Sequence, residues 1–260
     1  MLRPRIIPCL LVHEHGLVKT VSFKNPKYVG DPINAVKIFN EKEADELVVL
    51  DIDASVNRAE PDYQMIANLA VECRMPLCYG GGIRTAEQAK RIISLGVEKV
   101  AISSAAIESP QLITEIADEV GRQSVVVVID VKKRMLSKEY DVYIHNGKKN
   151  TKISAFDMAR RAEEMGAGEI VINSIDHDGQ MKGYDLALAE RIRAAVTIPI
   201  TLLGGAGSLD DIAALVSKCG VVGASAGSLF VFKGTYKAVL INYPTIAQRD
   251  ELVGKALGWH

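Results

Sequence analysis

Five aspartates fall at or just beyond the ends of short apolar runs: Asp51 and Asp53 in VVLDID, Asp130 in VVIDV, and Asp176 and Asp178 in NSIDHD. A carboxylate at such a boundary is reachable by substrate while burial tunes its proton affinity, so these are candidate acid–base groups. Some acids in such places act instead as helix caps or loop anchors. The stretch PCLLV at Pro8–Val12 has the character of VVIDV at Val127–Val131, yet it holds Leu11 where the other holds Asp130. If the two strands are counterparts, one carries a carboxylate at the mouth of a site and the other a plug of hydrocarbon. His177 lies between two of the acids, but its neighbours in a strand or turn point apart, so no metal site is expected.

Two glycine clusters suggest anion binding. Gly80-Gly81-Gly82 follows an apolar run and precedes a helix-start signal, so backbone N–H groups and the helix dipole can meet a phosphate with no side chain in the way. Gly204-Gly205-Ala206-Gly207 repeats the arrangement later in the chain. Glycines in loops also serve turns alone, and that reading stays open. Each cluster is followed, one apolar run later, by small residues, Ser103-Ser104 and Gly227-Ser228. Together they imply a ligand with phosphates at two ends.

The elements that must position these residues are short β-branched runs alternating with amphipathic segments. Arg5–Val12, Glu46–Ile52, Pro76–Tyr79, Lys99–Ile102, Ser124–Val131, Glu169–Asn173, Pro199–Leu203 and Val221–Ala226 read as strands. Thr85–Leu95 reads as one of the intervening helices, with Thr85 and Gln88 at capping-box spacing. Eight strands each followed by a helix is the arithmetic of an α/β protein with a single (β/α)8 TIM barrel, one domain over 1–260. A doubly wound open sheet is the alternative, since the sequence does not itself show closure.

The halves repeat: LCYGGGIRTAEQ at Leu77–Gln88 is echoed by TLLGGAGSLDD at Thr201–Asp211, and VAISSAAI by GASAGSLF. A duplicated half-barrel makes Leu11 and Asp130 counterparts across the barrel mouth. Two connections exceed what barrel loops need. His13–Asp31 follows the first strand, and Lys132–Ser154 follows the fifth with a hairpin turn expected at Asn146-Gly147. Loops of this kind serve as lids or clamps, or are idle insertions.

With 260 residues, 48% apolar and 24% charged, the chain can bury one large core. A net charge of −1 and the lack of a basic run with interleaved aromatics argue against nucleic acid as a partner. Cys9, Cys73, Cys78 and Cys219 are scattered, which suggests buried thiols in a reducing compartment. No signal peptide or membrane span is read, so a cytoplasmic location is expected, with neither membrane partner nor cofactor.

RIIPCL, GDP, ADELVVLDI, GGGIR, VVIDVK, GAGEIVINSIDHDG, GYDL, GGAG and SLF together resemble the HisF family, the cyclase subunits of imidazole glycerol phosphate synthase, over essentially the whole chain. The resemblance implies a (β/α)8 barrel that docks a HisH-like glutaminase, receives ammonia through its interior and uses it on a bisphosphorylated intermediate. It implies catalytic aspartates on strands 1 and 5; Asp130 matches the second and Leu11 stands at the first. Lys19, Asp51 and Asp178 match family site positions, as do Gly81, Gly82, Gly179, Gly205 and Ser228 for phosphate. The usual Asn-Thr pair of strand 4 reads Ser103-Ser104 here. Arg5, Glu46, Lys99 and Glu169 match the charged ring that gates ammonia, although rim charges of alternating sign are also ordinary solvated residues.

A chain that keeps the conduit and loses a principal acid–base group is expected to deliver ammonia without performing the cyclase step. PCLLVH, GLVKTVSFKNPKYVGDPINAVKIFNEKE and LFVFKG resemble a HisF-like branch associated with glycosyl amidation, working with a glutaminase and a separate sugar amidotransferase on surface polysaccharides, including lipopolysaccharide O-antigen. The alternatives are a true cyclase in which Asp53 or Asp176 rescues Asp130, and a scaffold or activator of the glutaminase.

Overall fold

The computed structural model describes residues 3–135 and 137–258. The chain runs β1 (Arg5–His13), β2 (Gly16–Val21), β3 (Lys24–Gly30), α1 (Pro32–Glu41), β4 (Leu47–Asp51), α2 (Tyr63–Glu72), β5 (Leu77–Gly80), α3 (Ala86–Ser94), β6 (Lys99–Ile102), α4 (Ser104–Glu108) and α5 (Gln111–Val120). It continues through β7 (Val125–Lys133), β8 (Tyr140–Ile144), β9 (Lys149–Ser154), α6 (Ala155–Glu164), β10 (Glu169–Ser174), α7 (Leu186–Ala195), β11 (Ile200–Leu203), α8 (Leu209–Cys219) and β12 (Gly223–Ala226). The last elements are α9 (Ser228–Val231), β13 (Phe232–Lys233), β14 (Ala238–Val239) and α10 (Ile246–Leu257).

Eight of these strands are parallel and close on themselves in the order β1, β4, β5, β6, β7, β10, β11, β12. The seam that closes the circle pairs Arg5 with Gly223 and Pro8 with Ala226. This is a (β/α)8 TIM barrel, not an open sheet. Burial on both faces explains why the strands read as near-continuous apolar runs. On β10, Ile170 and Ile172 face the helix layer, while Val171 belongs to an inner cluster with Ile7, Cys9, Val48, Cys78, Ala101, Val126, Val128 and Leu203.

The long connection after β1 is not an irregular loop. β1 continues to His13 and turns through Glu14 and His15, both at positive φ, into β2, which pairs antiparallel with β1 and β3. The turn has no Asn-Gly signal, and Pro26 within KNPKYVG argues against a strand, so the hairpin was hidden. Pro26 is tolerated because β3 is an edge strand, paired only with β2. The connection after β7 is the expected hairpin: β8 and β9 pair antiparallel around Asn146-Gly147, both at positive φ. Thus the first and fifth barrel strands each lead into an antiparallel hairpin.

Thr85 Oγ1 accepts from Gln88 N at 3.1 Å. The reciprocal arm of the expected box falls one residue earlier, since Gln88 Oε1 accepts from Arg84 N at 2.8 Å. No helix among the described residues is long and apolar enough to cross a membrane.

The chain's last segment braces the opposite end of the barrel. Tyr243 packs between Phe39 and Phe230, its hydroxyl donates to Ile6 O at 2.7 Å, and it accepts from Asp45 N at 3.1 Å. Arg249 pairs with Asp45, which also accepts from Ile6 N at 2.8 Å. Tyr243→Phe removes both hydroxyl bonds from a buried position and is expected to destabilise the fold by about 1–3 kcal/mol. Urea unfolding checks this: the midpoint should fall while the slope stays constant.

Candidate functional site

A cavity opens at the C-terminal ends of the barrel strands and encloses about 1240 Å³, solvent at its mouth included. Of the residues singled out by sequence, Leu11, Lys19, Asp51, Gly81, Gly82, Ser103, Ser104, Asp130, Asp178, Gly179, Gly205, Gly227 and Ser228 all line it. The lining divides chemically. Cys9, Leu11 and Leu50 present hydrocarbon and sulfur on one wall, whereas Ser103, Asp130 and Asn173 present polar groups at the ends of β6, β7 and β10.

Asp130 Oδ1 accepts from Asn173 Nδ2 at 2.9 Å. Burial pushes this carboxyl up to about 7, against the pull of the Asn173 hydrogen bond, with nearby Asp178 adding a smaller push. Lys19 on β2 is 5% exposed and donates from Nζ to Cys9 O at 2.6 Å; among the described residues it has no salt-bridge partner. Burial lowers its pKa. Its ammonium lies against the second small-residue loop, where a Cβ on Gly227 would come within 2.6 Å of Nζ.

Asp51 and Asp178 line the cavity and also organise loops. Asp51 Oδ1 accepts from Asp53 N at 2.8 Å and Ala54 N at 3.0 Å. Asp178 Oδ2 accepts from Thr20 Oγ1 at 2.7 Å and Phe23 N at 3.0 Å, fixing the β2–β3 hairpin beside the mouth. Burial raises the pKa of each. Gly179 admits that hairpin, since a Cβ there would stand 2.1 Å from Thr20 O. Gly205 is required both by its φ of +113°, in the region that favours glycine, and by packing, since a Cβ would meet Gly183 O at 2.1 Å.

The two carboxylates expected to rescue Asp130 do not reach it. Asp53 lies 2.8 Å from His13 Nδ1 and accepts from Glu14 N, and Asp176 accepts from Lys133 N at 3.1 Å; neither lines the cavity. Asp53 braces the turn after β1, and Asp176 braces the end of β7. His177 Nδ1 sits 2.9 Å from Ser174 Oγ. Among the described residues no group of three or more His, Cys, Asp or Glu side chains is placed to hold a metal ion.

Several lining residues were not found from sequence: Thr20, Phe23, Asn146, Asn173 and Met181. Asn146 Nδ2 donates to Ile52 O at 2.7 Å, and a Cβ on Gly147 would lie 3.3 Å from the Phe23 ring, so the tips of the two hairpins meet above the cavity. Ser104 Oγ accepts from His145 N at 3.1 Å, which ties the β8–β9 tip to one candidate phosphate position. Asn173 was legible only through strand register, as the direct neighbour of Asp130.

At the other end of the barrel, Arg5, Glu46, Lys99 and Glu169 form a closed ring of ion pairs. Arg5 pairs with Glu46 and, at 2.7 Å, with Glu169; Lys99 Nζ lies 2.8 Å from Glu46 and 2.9 Å from Glu169. Thr201 Oγ1 donates to Glu169 at 2.6 Å. Burial works against the charge on Glu169, but Arg5 and Lys99 outweigh it and hold that carboxyl down at about 2. These are not solvated rim charges, because the Glu46 and Glu169 side chains are only 5% and 7% exposed.

A family profile described as "Histidine biosynthesis protein" matches residues 5–237. A Leptospira interrogans protein, provisionally named imidazole glycerol phosphate synthase subunit HisF, is 59% identical over 252 residues, covering 97% of this chain and 99% of its own. The imidazole glycerol phosphate synthase subunit HisF of Lactococcus lactis subsp. lactis (strain IL1403) is 43% identical over 230 residues, covering 88% of this chain and 89% of its own.

The raised Asp130 pKa fixes the sign of a pH effect. Its proton is held more tightly folded than unfolded, so its contribution to stability is full below the unfolded value near 4 and is lost as pH rises through about 7. Asp130→Asn removes that loss. The variant should gain stability relative to wild type between pH 4 and pH 8, by about 1.4 kcal/mol for every tenfold by which folding tightens the hold on that proton. Paired denaturant titrations at the two pH values measure it, and equal differences at both would contradict it.

Proposed function

Because the chain belongs to the HisF family, we propose that it is the ammonia-using synthase subunit of a glutamine amidotransferase, fed by a HisH-like glutaminase at the Arg5 end of the barrel and acting on a phosphorylated small molecule at the Asp130 end. The observation that carries this reading is the placement of a neutral ring of four charges and a polar cavity at opposite ends of the barrel's buried apolar interior, along which the proposed bore would run. Ammonium would lose its hydration in such a bore at large cost, whereas neutral ammonia would not. Admission requires one ion pair of the ring to open, and Lys99 or Arg5 must swing to do so.

At the mouth, phosphates would meet backbone N–H groups at Gly81-Gly82 and at Gly205, with Ser228 and the buried Lys19 ammonium beside the second. Asp130, titrating near neutrality, would hold or release a proton at the reacting atoms. The names of the relatives favour the cyclase chemistry of histidine biosynthesis. A second reading has one specific observation behind it. Leu11 places hydrocarbon opposite Asp130, and the acids still lining the cavity, Asp51 and Asp178, each commit an oxygen to backbone N–H groups. In that reading ammonia passes to a separate sugar amidotransferase acting on a surface polysaccharide.

Purified chain, ammonium salts and the bisphosphorylated histidine-pathway intermediate separate the two. Turnover that falls by about 10²–10⁴ on Asp130→Asn supports the cyclase. No turnover, together with co-elution with a HisH-like glutaminase and activation of it, supports delivery, and Leu11→Asp should then gain a little turnover. A chain that neither turns over nor binds the glutaminase refutes both.

A further inference from the structure

The order of strands around the barrel gives the cavity two unlike sides. Gly80-Gly81-Gly82 lies at the end of β5, and Gly204-Gly205 follows β11, with Gly227 after the neighbouring β12. Two arcs of the circle join these glycine stations. One passes the ends of β7 and β10, which present Asp130 and Asn173; the other passes the ends of β1 and β4, which present Leu11 and Leu50. A ligand held by phosphate at one station and extending towards the other therefore turns one edge to a carboxylate and an amide and the opposite edge to hydrocarbon.

The hydrocarbon side is continuous. Leu11 and Leu50 are register partners on adjacent strands and rest on the buried inner cluster, each keeping partial exposure where it lines the cavity. Ile52 extends the same pairing, its N donating to Val12 O at 3.0 Å, and it lines the cavity together with Phe23 from the turn between β2 and β3. A ligand hydroxyl aimed at the Leu11–Leu50 pair would leave water for two side chains that neither donate nor accept. On the Asp130 side the opposite holds. Asn173 Oδ1 and Ser103 Oγ are buried there with no partner among the described residues, so a ligand group able to donate a hydrogen bond is favoured.

We infer that Leu11, with Leu50 beside it, selects the ligand of this cavity: an organic phosphate that shows an apolar edge, aromatic or deoxygenated, to β1 and β4, and its hydrogen-bonding groups to Asp130 and Asn173. The inference rests on the proposed phosphorylated ligand and adds which face of it the chain reads. A polyhydroxylated phosphate of similar size is disfavoured, because one of its hydroxyls loses water against Leu11 and gains nothing in return. Holding Leu11 where the counterpart strand holds Asp130 then sets a ligand preference, beyond the loss of one proton carrier.

The test compares three probes on the full chain by isothermal titration calorimetry at one pH: phenyl phosphate, glycerol 1-phosphate and inorganic phosphate. Phenyl phosphate should bind about tenfold more tightly than glycerol 1-phosphate, the scale of burying one or two CH₂ groups. Leu11→Asn should reduce that ratio to about twofold or less, and the volume-conserving Leu11→Met should keep it. Leu50→Asn, on the same face, provides the second variant if Leu11→Asn does not fold. Equal affinities of the two organic phosphates in the wild type, or a phenyl preference that both Leu11→Asn and Leu50→Asn leave intact, overturns the inference. Failure of all three phosphates to bind the wild type would instead overturn the phosphorylated-ligand reading beneath it.

Discussion

Closure of β1 onto β12 is the constraint on which the rest of the structure depends. A closed sheet sends every second residue of each strand into an interior that side chains fill, so one alternation decides core and chemistry together. On β1 it sends Ile7, Cys9 and Leu11 inward, with Arg5 at the lower rim; on β10 it sends Glu169, Val171 and Asn173. A slip of one residue would place Asp130 among the helices and Ile129 in the cavity. The register of eight short strands thus fixes which side chains a ligand can meet.

The ring of four charges shows what that alternation costs and how the fold meets it. Removing charges from water is expensive, and a buried pair is often no more stable than apolar residues of equal volume. Here two acids and two bases neutralise one another, and Thr201 adds a further donor to Glu169. Stability alone gives weak grounds for such an arrangement. Under the proposed function, a neutral, hydrogen-bonded closure that opens at one side chain accounts for four charges at the foot of the barrel's apolar interior.

Most of the site was legible because its residues depend on local signals. Strand-end aspartates, paired glycine clusters and small residues after the next strand are all visible in the chain, and closure brings them to one mouth. Side chains whose role comes from distant partners were harder to read. Asp53 and Asp176 look like Asp130 by position, yet backbone donors in the turn after β1 and at the end of β7 hold them outside the cavity. The β2–β3 hairpin lacks a turn signature and depends on Asp178, more than 150 residues away, for its seat. Asn173 has no motif of its own and acquires meaning only from its register with Asp130.

Leu11 then has a physical consequence beyond the loss of a carboxylate. With hydrocarbon at that position, Asp130 is pushed toward neutrality chiefly by burial, with only a smaller contribution from Asp178. A carboxylate at position 11 would bring water and a further ionisable group to the wall facing Asp130, in a cavity that Lys19, Asp51 and Asp178 already line, and its protons would be coupled to those of Asp130. The present arrangement leaves hydrocarbon from Leu11 and Leu50 facing Asp130 and the unpaired oxygen of Asn173, while Asp51 and Asp178 are tied to backbone N–H groups of nearby loops. Under the proposed function, a reaction needing an acid and a base on opposite faces would have to recruit Asp51 or Asp178 from its loop contacts, or draw the second group from the ligand itself.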